Sequence, residues 1–164
     1  MISIAVAKRS DAGALTALRS AVARDMTREF GEGHWSACPS RSQVLRQLRA
    51  SHVLVAKHDD EIIGTVRLVR PVLGIFDSSS FTAVDRPLYV LGLAVAAECR
   101  GEGIGRLLME AAKDRVRSSG AQALWLDAYE HRAGAGSFYA KCGFRKVGRV
   151  SGELPLGYFE WLAM

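Results

Sequence analysis

The stretch Pro87-Leu-Tyr-Val-Leu-Gly-Leu-Ala-Val95 is uncharged and rich in Val and Leu, and Arg100-Gly-Glu-Gly-Ile-Gly105 follows it after a short polar link. The first run predicts a buried strand. After the glycines, apolar residues recur at helical spacing, which predicts an amphipathic helix with one apolar face; these residues are Ile104, Leu107, Leu108, Ala111 and Ala112. A glycine-rich turn that opens a helix presents unpaired N–H groups at the positive end of the helix dipole. Such a turn suits an anion, above all a phosphate.

The spacing of the glycines limits which phosphate ligand the turn suits. A dinucleotide-binding turn has the pattern Gly-x-Gly-x-x-Gly, and counting from Gly101 places Arg106 where the third glycine belongs. The P-loop pattern Gly-x-x-x-x-Gly-Lys-Ser/Thr does not occur in the sequence. What remains is Arg-x-x-Gly-x-Gly after a strand. This pattern resembles the acyl-CoA-binding signature of the GCN5-related N-acetyltransferases, in which the turn holds the pyrophosphate of coenzyme A.

A second motif supports the same resemblance about thirty residues later. Strand-like Leu126-Asp-Ala-Tyr129 precedes the segment Phe138-Tyr-Ala-Lys-Cys-Gly-Phe144. The family's common form is a strand, a short helix that ends in Phe/Leu-Tyr-x-Lys-x-Gly-Phe, and another strand. Many relatives carry Asn six residues before the Phe of this motif, whereas this chain has Arg132. An arginine can still meet a phosphate, so we expect a different contact there.

Length and composition predict an ordinary globular protein. The chain has 164 residues, of which 49% are hydrophobic and 24% charged. These values predict a single domain over residues 1–164, with a core of its own. The N-terminus lacks the order of a signal peptide, and no apolar run is long enough to cross a bilayer, so we expect a cytoplasmic protein with no membrane partner.

The cysteines and the charges point to no metal and to no nucleic acid. Cys38, Cys99 and Cys142 are widely spaced, with no Cys-x-x-Cys pair, so we expect neither a disulfide framework nor a metal site. The net charge of +5 permits a polyanionic partner. The arginines are scattered, however, and form no basic run. We therefore expect them to lie on solvated surfaces, where some of them assist the binding of a polyphosphate.

The periodicity along the chain predicts one mixed sheet flanked by helices on both faces. The predicted order is a strand, two helices, three strands, a helix, a strand, a helix and two strands. The first helix has a core face of Leu15, Leu18, Val22 and Met26, and residues 29–39 are a loop. Ser40 and Gln43 form a capping box for the second helix. Residues 52–57 and 61–70 predict a hairpin around residues 58–60, and the last two strands are predicted as a pair.

The resemblance implies an acetyl-CoA site built mainly from backbone groups. In the family, the strand before the turn bulges and separates from its neighbour, so that the pantetheine arm pairs with it. Gly92 is a plausible bulge residue. The cofactor-binding residues implied in this way are Leu93, Ala94, Val95, Arg100, Gly101, Glu102, Gly103, Ile104, Gly105, Arg106 and Arg132.

The reaction implied by the resemblance is direct attack of a primary amine on the acetyl thioester. Tyr139 is the candidate general acid, since a neutral phenol with an ordinary pKa near 10 can protonate the leaving sulfur. Tyr139 also lies on the apolar stripe of its helix, where a packed tyrosine would look the same. Asp127 is a candidate general base near the end of its strand, and a structural carboxylate that accepts backbone hydrogen bonds is its alternative. Other candidates are Glu98, Glu130, His131, His34 and a chain of water molecules.

The acceptor is not defined by the sequence. Residues 29–39, 71–86 and 151–158 are the variable regions, and His34, Trp35, Phe76 and Tyr158 are candidates to line a pocket. The amine can belong to a small molecule or to a peptide. Two other functions stay open, namely a non-catalytic acyl-CoA-binding module and a toxin-like acetyltransferase that acts on aminoacyl-tRNA. Many relatives dimerise, so a second copy of the chain is a further partner to consider.

Overall fold

The structure is a computed structural model that describes residues 1–72 and 77–164. Within these ranges, the helices are α1 (Ala12–Phe30), α2 (Arg41–Ala50), α3 (Ile104–Ser119) and α4 (Gly136–Lys141). The strands are β1 (Ile2–Val6), β2 (His52–His58), β3 (Glu61–Val69), β4 (Pro87–Val95), β5 (Ala123–Tyr129), β6 (Arg145–Val150) and β7 (Leu156–Leu162). This is the predicted order of elements.

The seven strands form one mixed sheet in the order β1-β2-β3-β4-β5-β7-β6. Most of the described ladders are antiparallel, including the predicted hairpin of β2 and β3. The ladder between β4 and β5 is parallel. The predicted pair β6 and β7 is present, with β7 next to β5. The mixed α/β fold class is therefore confirmed.

Contacts divide the chain into two compact units. The first unit consists of Met1–Leu68 and Gly92–Ala112. Its core holds α1 and α2 against β2 through the buried residues Ala12, Leu15, Val44, Val53 and Val55. The predicted capping box begins α2: Ser40 Oγ accepts from the Gln43 N–H at 3.2 Å, and Gln43 Oε1 accepts from the Ser40 N–H at 2.8 Å.

The second unit consists of Val69–Leu91 and Lys113–Met164. An aromatic cluster forms its core. The ring of Phe81 stacks on Trp125 with centroids 4.5 Å apart and meets the ring of Tyr158 at 5.1 Å. Aromatic pairs of this kind add to the burial of apolar area. The cluster fixes the segment before β4 against β5 and β7.

Three sequence-based expectations about helices are corrected by the structure. Helix α1 continues to Phe30, so the predicted loop 29–39 begins later. Ala23 is buried on this helix, whereas Val22 and Met26 are only partly covered. On α3, Leu107 is 45% exposed. At 100° per residue the buried arc of α3 runs from Ile104 towards Met109 and Val116, and Leu107 falls just outside it. The apolar stripe in the sequence was wider than the buried face.

The buried carboxylate of Glu160 ties the segment before β4 to the sheet. Glu160 is 2% exposed, and its carboxylate accepts from the Thr82 N–H at 2.8 Å and from the Thr82 hydroxyl at 2.6 Å. Arg145 donates to the same carboxylate at 2.7 Å. Burial by itself would raise the pKa of Glu160, but the hydrogen bonds from Thr82 and Arg145 outweigh it and lower the pKa. The ionised form is therefore the one the fold holds.

We expect Glu160→Gln to lower the free energy of unfolding by about 1–3 kcal/mol at neutral pH, because one charge-assisted acceptor is lost from a buried site. A lowered pKa in the folded state stabilises the protein above the ordinary glutamate pKa, and this stabilisation is lost as the pH falls through the lowered value. Urea unfolding at neutral and acidic pH should show the wild-type advantage shrinking in acid. The exposed Glu153→Gln is the control, and equal effects of the two variants would contradict this account.

Candidate functional site

The glycine turn begins where β4 ends. The Ala96 N–H donates to the carbonyl of Ile63 at 2.8 Å, and a 3₁₀ turn over Ala97–Cys99 follows. Gly101 and Gly103 then adopt φ of +80° and +83°. This left-handed region is costly for residues with a Cβ atom, so the glycines allow the chain to reverse into α3 within a few residues. No atom lies within 4 Å of a Cβ built at either glycine.

The N-terminus of α3 presents its amides beside this open turn. The Leu107 N–H donates to the carbonyl of Gly103 at 3.0 Å, which is the first hydrogen bond of the helix. Helix geometry therefore leaves the N–H groups of residues 103–106 without partners inside the helix. Arg100, Glu102 and Arg106 are exposed around it, while Ile104 is buried and holds the turn to the core. The arrangement has the donors, the dipole and the space that an anion needs.

The predicted bulge in β4 coincides with an unusual backbone conformation. Gly92 has φ of +61° in the middle of the strand. The parallel ladder with β5 covers only Pro87–Tyr89 paired with Ala123–Trp125. Leu93 and Val95 are partly exposed and Ala94 is buried, as expected for alternate faces of a strand. In the first unit, the fold thus brings residues 93–95 and 100–106 into one continuous segment.

In the second unit, Asp127 on β5 and Tyr89 on β4 form a pair. The buried Tyr89 hydroxyl donates a hydrogen bond to Oδ2 of the exposed Asp127. Burial chiefly, and then the bond to Asp127 and its charge, raise the pKa of Tyr89 well above its ordinary value. Both residues line an open apolar groove with Val69, Arg70, Pro71, Val72 and Leu91. Sequence reasoning gave Tyr89 no role, although it is the only ionisable residue on β4.

Tyr139 lies inside an aromatic cluster on α4. It is 8% exposed, and its ring centroid lies 5.2 Å from that of Phe138, 6.0 Å from Phe144 and 6.3 Å from Phe159. Burial raises its pKa well above the ordinary value, with a smaller contribution from the charge of Asp127. The phenol therefore stays neutral at physiological pH and can donate a proton. The same packing also fits the other interpretation of the sequence, in which Tyr139 is a packed residue of the apolar stripe of its helix.

The charge of Asp127 acts on every tyrosine of the chain. There are four tyrosines, and each has a raised pKa to which burial contributes most and Asp127 contributes next or later. These residues are Tyr89, Tyr129, Tyr139 and Tyr158. One exposed carboxylate thus opposes the ionisation of all four hydroxyl groups, and the Tyr89 hydroxyl donates a hydrogen bond to it.

The loop between β5 and α4 carries Arg132 and two other candidates. Arg132 and His131 are exposed, and His131 Nδ1 accepts from the Ala133 N–H at 3.1 Å. Gly134 closes this loop, because a Cβ built there would lie 1.7 Å from the carbonyl oxygen of Tyr129. Hydrogen bonds from Lys146 and Arg149 lower the pKa of Glu130. A carboxylate whose pKa is lowered by ion pairs is a weaker base than an unpaired one.

The remaining candidates for the acceptor pocket lie apart in the sequence. His34 and Trp35 belong to a 3₁₀ turn after α1, where the Trp35 ring N–H donates to the Gly31 carbonyl at 2.8 Å. Tyr158 lies on β7 in the aromatic cluster of the second unit. Phe76 lies outside the described residues. Glu98 lies in the 3₁₀ turn that precedes the glycines.

Comparison with known proteins decides the family. Residues 19–144 match the Acetyltransferase (GNAT) family. The chain belongs to this family. The turn at Arg100–Gly105 and the segment Phe138–Phe144 both fall inside the matched range, so the resemblance seen in the sequence is confirmed. The GNAT assignment covers most of the described chain, including β4, α3, β5 and α4.

Individual GNAT relatives are more distant. The streptothricin acetyltransferase of Streptomyces lavendulae is 38% identical over 73 residues, which are 44% of this chain and 39% of that protein. The match thus spans well under half of this curated relative. Two crystal structures share the fold. A ribosomal-protein-alanine N-acetyltransferase from Brucella melitensis has a TM-score of 0.77 at 18% identity, covering 98% and 99% of the two chains. The PaiA N-acetyltransferase from Thermoplasma acidophilum, in complex with coenzyme A, has a TM-score of 0.75 at 18% identity over the same shares.

The described part of this GNAT chain has neither a cluster of metal ligands nor a membrane-spanning helix. In residues 1–72 and 77–164, no three His, Cys, Asp or Glu side chains come together as metal ligands. No helix in the described part of the chain is long and apolar enough to cross a membrane.

The charge of Asp127 should be visible in the ionisation of the tyrosines. We expect Asp127→Asn to shift the phenolate absorbance curve to lower pH, because it removes a negative charge that opposes ionisation of all four phenols. The measurement is a spectrophotometric titration, limited to pH values at which circular dichroism reports a folded protein. Glu153→Gln removes an exposed carboxylate elsewhere and serves as the control. Superimposed curves for wild type and Asp127→Asn would contradict the prediction.

Proposed function

We propose that this chain transfers an acetyl group from acetyl-CoA to a primary amine of a small molecule or peptide. The observation that carries the proposal is the open turn at Arg100–Gly105 in a chain of the acetyltransferase family. Two left-handed glycines leave unpaired amides at the head of α3 with free space in front of them. The acetyltransferase names of its relatives and the coenzyme A bound to the PaiA enzyme support the same activity.

The turn is proposed to bind the pyrophosphate through its backbone amides. The exposed Arg100 and Arg106 add positive charge around these donors. Arg132, on the exposed loop after β5, is proposed to meet another phosphate. Residues 93–95 are proposed to pair with the pantetheine arm, since the ladder of β4 with β5 ends at Tyr89. Acetyl-CoA supplies the activated acetyl group when bound, and no metal is proposed.

Two side chains are proposed to move protons. The amine nitrogen attacks the thioester carbonyl carbon, the carbon–sulfur bond breaks, and the sulfur leaves as a thiolate. Tyr139 is the proposed acid, because its buried phenol keeps its proton at neutral pH. Asp127 is the proposed base for the amine proton, because its carboxylate is exposed and held by the Tyr89 hydroxyl. Glu130 is the weaker candidate, since it is paired with Lys146 and Arg149.

Other features of the proposed enzyme rest on the sequence. A single domain over residues 1–164 and a cytoplasmic location stay predictions. A homodimer stays a prediction as well. An activity on aminoacyl-tRNA is not favoured, because the arginines of the chain are scattered.

The cofactor site is tested by calorimetric titration of Gly103→Trp with acetyl-CoA. We expect loss of binding, because the indole fills the open space before the amides of α3. The matched control is Gly31→Trp. Gly31 also has a left-handed φ, of +81°, and no atom within 4 Å of a built Cβ, so the backbone strain is comparable. Gly31 ends α1 and is not proposed to touch the cofactor.

The outcomes of this titration separate cleanly. Binding to wild type and to Gly31→Trp, with none to Gly103→Trp, supports the proposed site. Equal binding to all three proteins would move the cofactor away from the turn. No binding to wild type would overturn the proposed acetyl transfer altogether.

The role of Tyr139 is tested by Tyr139→Phe once an acceptor is in hand. We expect kcat to fall about 100-fold or more, because the leaving thiolate loses its proton donor, while the affinity for acetyl-CoA is unchanged. Since burial raises the pKa of Tyr139, wild-type kcat should show no decline from its ionisation below pH 10. Tyr129→Phe removes a hydroxyl at the end of β5 as the control. An unchanged kcat in Tyr139→Phe would leave this residue a packing role.

A further inference from the structure

Two arginines of the first unit share a narrow recess. Arg19 on α1 and Arg67 on β3 line it. Its other walls come from α1, α2, β2, β3 and β4, and they are Leu15, Val44, Gln47, Leu48, Val53, Thr65 and Gly92. None of the described residues that line the recess is acidic. The recess holds about one water-sized group.

The hydrogen bonds of the two guanidinium groups do not neutralise their charge. Arg19 Nη1 donates to the neutral side-chain oxygen of Gln47 at 2.6 Å. Arg67 Nε is buried and has no hydrogen-bond partner among the described residues. The Thr65 hydroxyl, which also lines the recess, is neutral and donates its proton to the Leu54 carbonyl at 2.9 Å. The recess therefore contains donors and positive charge in excess.

This arrangement is unfavourable without a ligand. Burial, and then the charge of Arg67, lower the pKa of Arg19, and burial lowers the pKa of Arg67. Partly buried like charges repel and lose hydration, and an unpaired buried donor adds a further cost. Cost of this kind is typical of functional sites, where a ligand supplies the missing partner. The missing partner here is an anion.

Strand β4 contributes a glycine to the wall of the recess. Gly92 lies on its wall, and a Cβ built there would come within 4.0 Å of Arg19 Nη2. Its φ of +61° also disfavours any other residue. The recess has room for about one water-sized group, which is the size of a single carboxylate oxygen. Apolar side chains, such as Leu15, Val44 and Val53, form the remaining walls and leave no room for a fully solvated phosphate.

We propose that the amine acceptor carries a carboxylate and that Arg19 and Arg67 bind it. This inference rests on the proposed acetyl transfer and names the chemical class of its acceptor. We assign the bound anion to the acceptor and not to the phosphates of the cofactor, because the recess is distant from the glycine turn. Ala96, which leads into the glycine turn, bonds to Ile63 on β3. Arg67 lies four residues further along β3, which places it about 13 Å along the strand from Ile63.

The first test compares pairs of acceptors that differ only in the anion. Free amino acids and short peptides are assayed beside their C-terminal amides, with wild type, Arg19→Gln, Arg67→Gln and Arg24→Gln. Arg24 is exposed on α1 and serves as the matched control. We expect kcat/KM for the acid to fall about 10- to 100-fold in the first two variants, mainly through KM. The amides should react equally with all four proteins. Amides that match the acids with wild type would overturn the inference and leave acetyl transfer standing.

The second test needs no turnover. N-acetyl amino acids and their amides, which are the products of the same pairs, are added and the melting temperature is followed. The acid should raise the melting temperature of wild type and of Arg24→Gln more than the amide does, and this difference should vanish in Arg67→Gln. If acetyl-CoA does not bind at all, the proposed function fails, and this test still decides whether the recess binds a carboxylate. Equal shifts by acid and amide with wild type would overturn the inference.

A merely structural role for Arg67 would give a different result. A structural arginine would make the unliganded Arg67→Gln melt below Arg24→Gln, with the preference for the acid retained. We expect the opposite, namely an unchanged or higher melting temperature, because the substitution relieves the repulsion from Arg19.

Discussion

The backbone of β4 and of the turn that follows it is the constraint on which the rest depends. A strand and a helix are joined within a few residues, and this connection is possible because Gly101 and Gly103 take left-handed conformations. The same reversal leaves the amides at the head of α3 without partners inside the helix. The fold therefore creates an anion site with main-chain atoms, and the buried Ile104 anchors it to the core. The side chains around the turn leave the space beside Gly101 and Gly103 open.

Each unit has one charged site that lies beside groups that do not cancel its charge. In the second unit, the carboxylate of Asp127 accepts a hydrogen bond from the neutral Tyr89 hydroxyl. In the first unit, Arg19 donates a hydrogen bond to the neutral side chain of Gln47, and the buried Nε of Arg67 has no hydrogen-bond partner among the described residues. Structural ion pairs look different: Glu160 is enclosed by Thr82 and Arg145, which satisfy its carboxylate. The contrast separates charges that stabilise the fold from charges held ready for a ligand.

Glycine has a similar double use along the chain. Gly134 is required by a close approach to the carbonyl of Tyr129, which is a packing reason. Gly101 and Gly103 have left-handed backbones, and no atom lies within 4 Å of a Cβ built at either one. Space that the protein itself does not fill, beside a backbone that only glycine adopts readily, is typical of positions where another molecule approaches. The sequence shows all of these as the same letter.

The order of strands and helices, the capping box at Ser40 and the glycine turn were determined by the sequence alone, because they depend on local periodicity and on residues a few positions apart. Motif spacing likewise identified the family. Tertiary structure decided what depends on distant residues. It turned α3 so that Met109 and not Leu107 is buried, it brought Tyr89 to Asp127, and it placed Arg19 beside Arg67. These pairs lie on different elements, and their meeting depends on sheet register and helix packing, which no local pattern encodes.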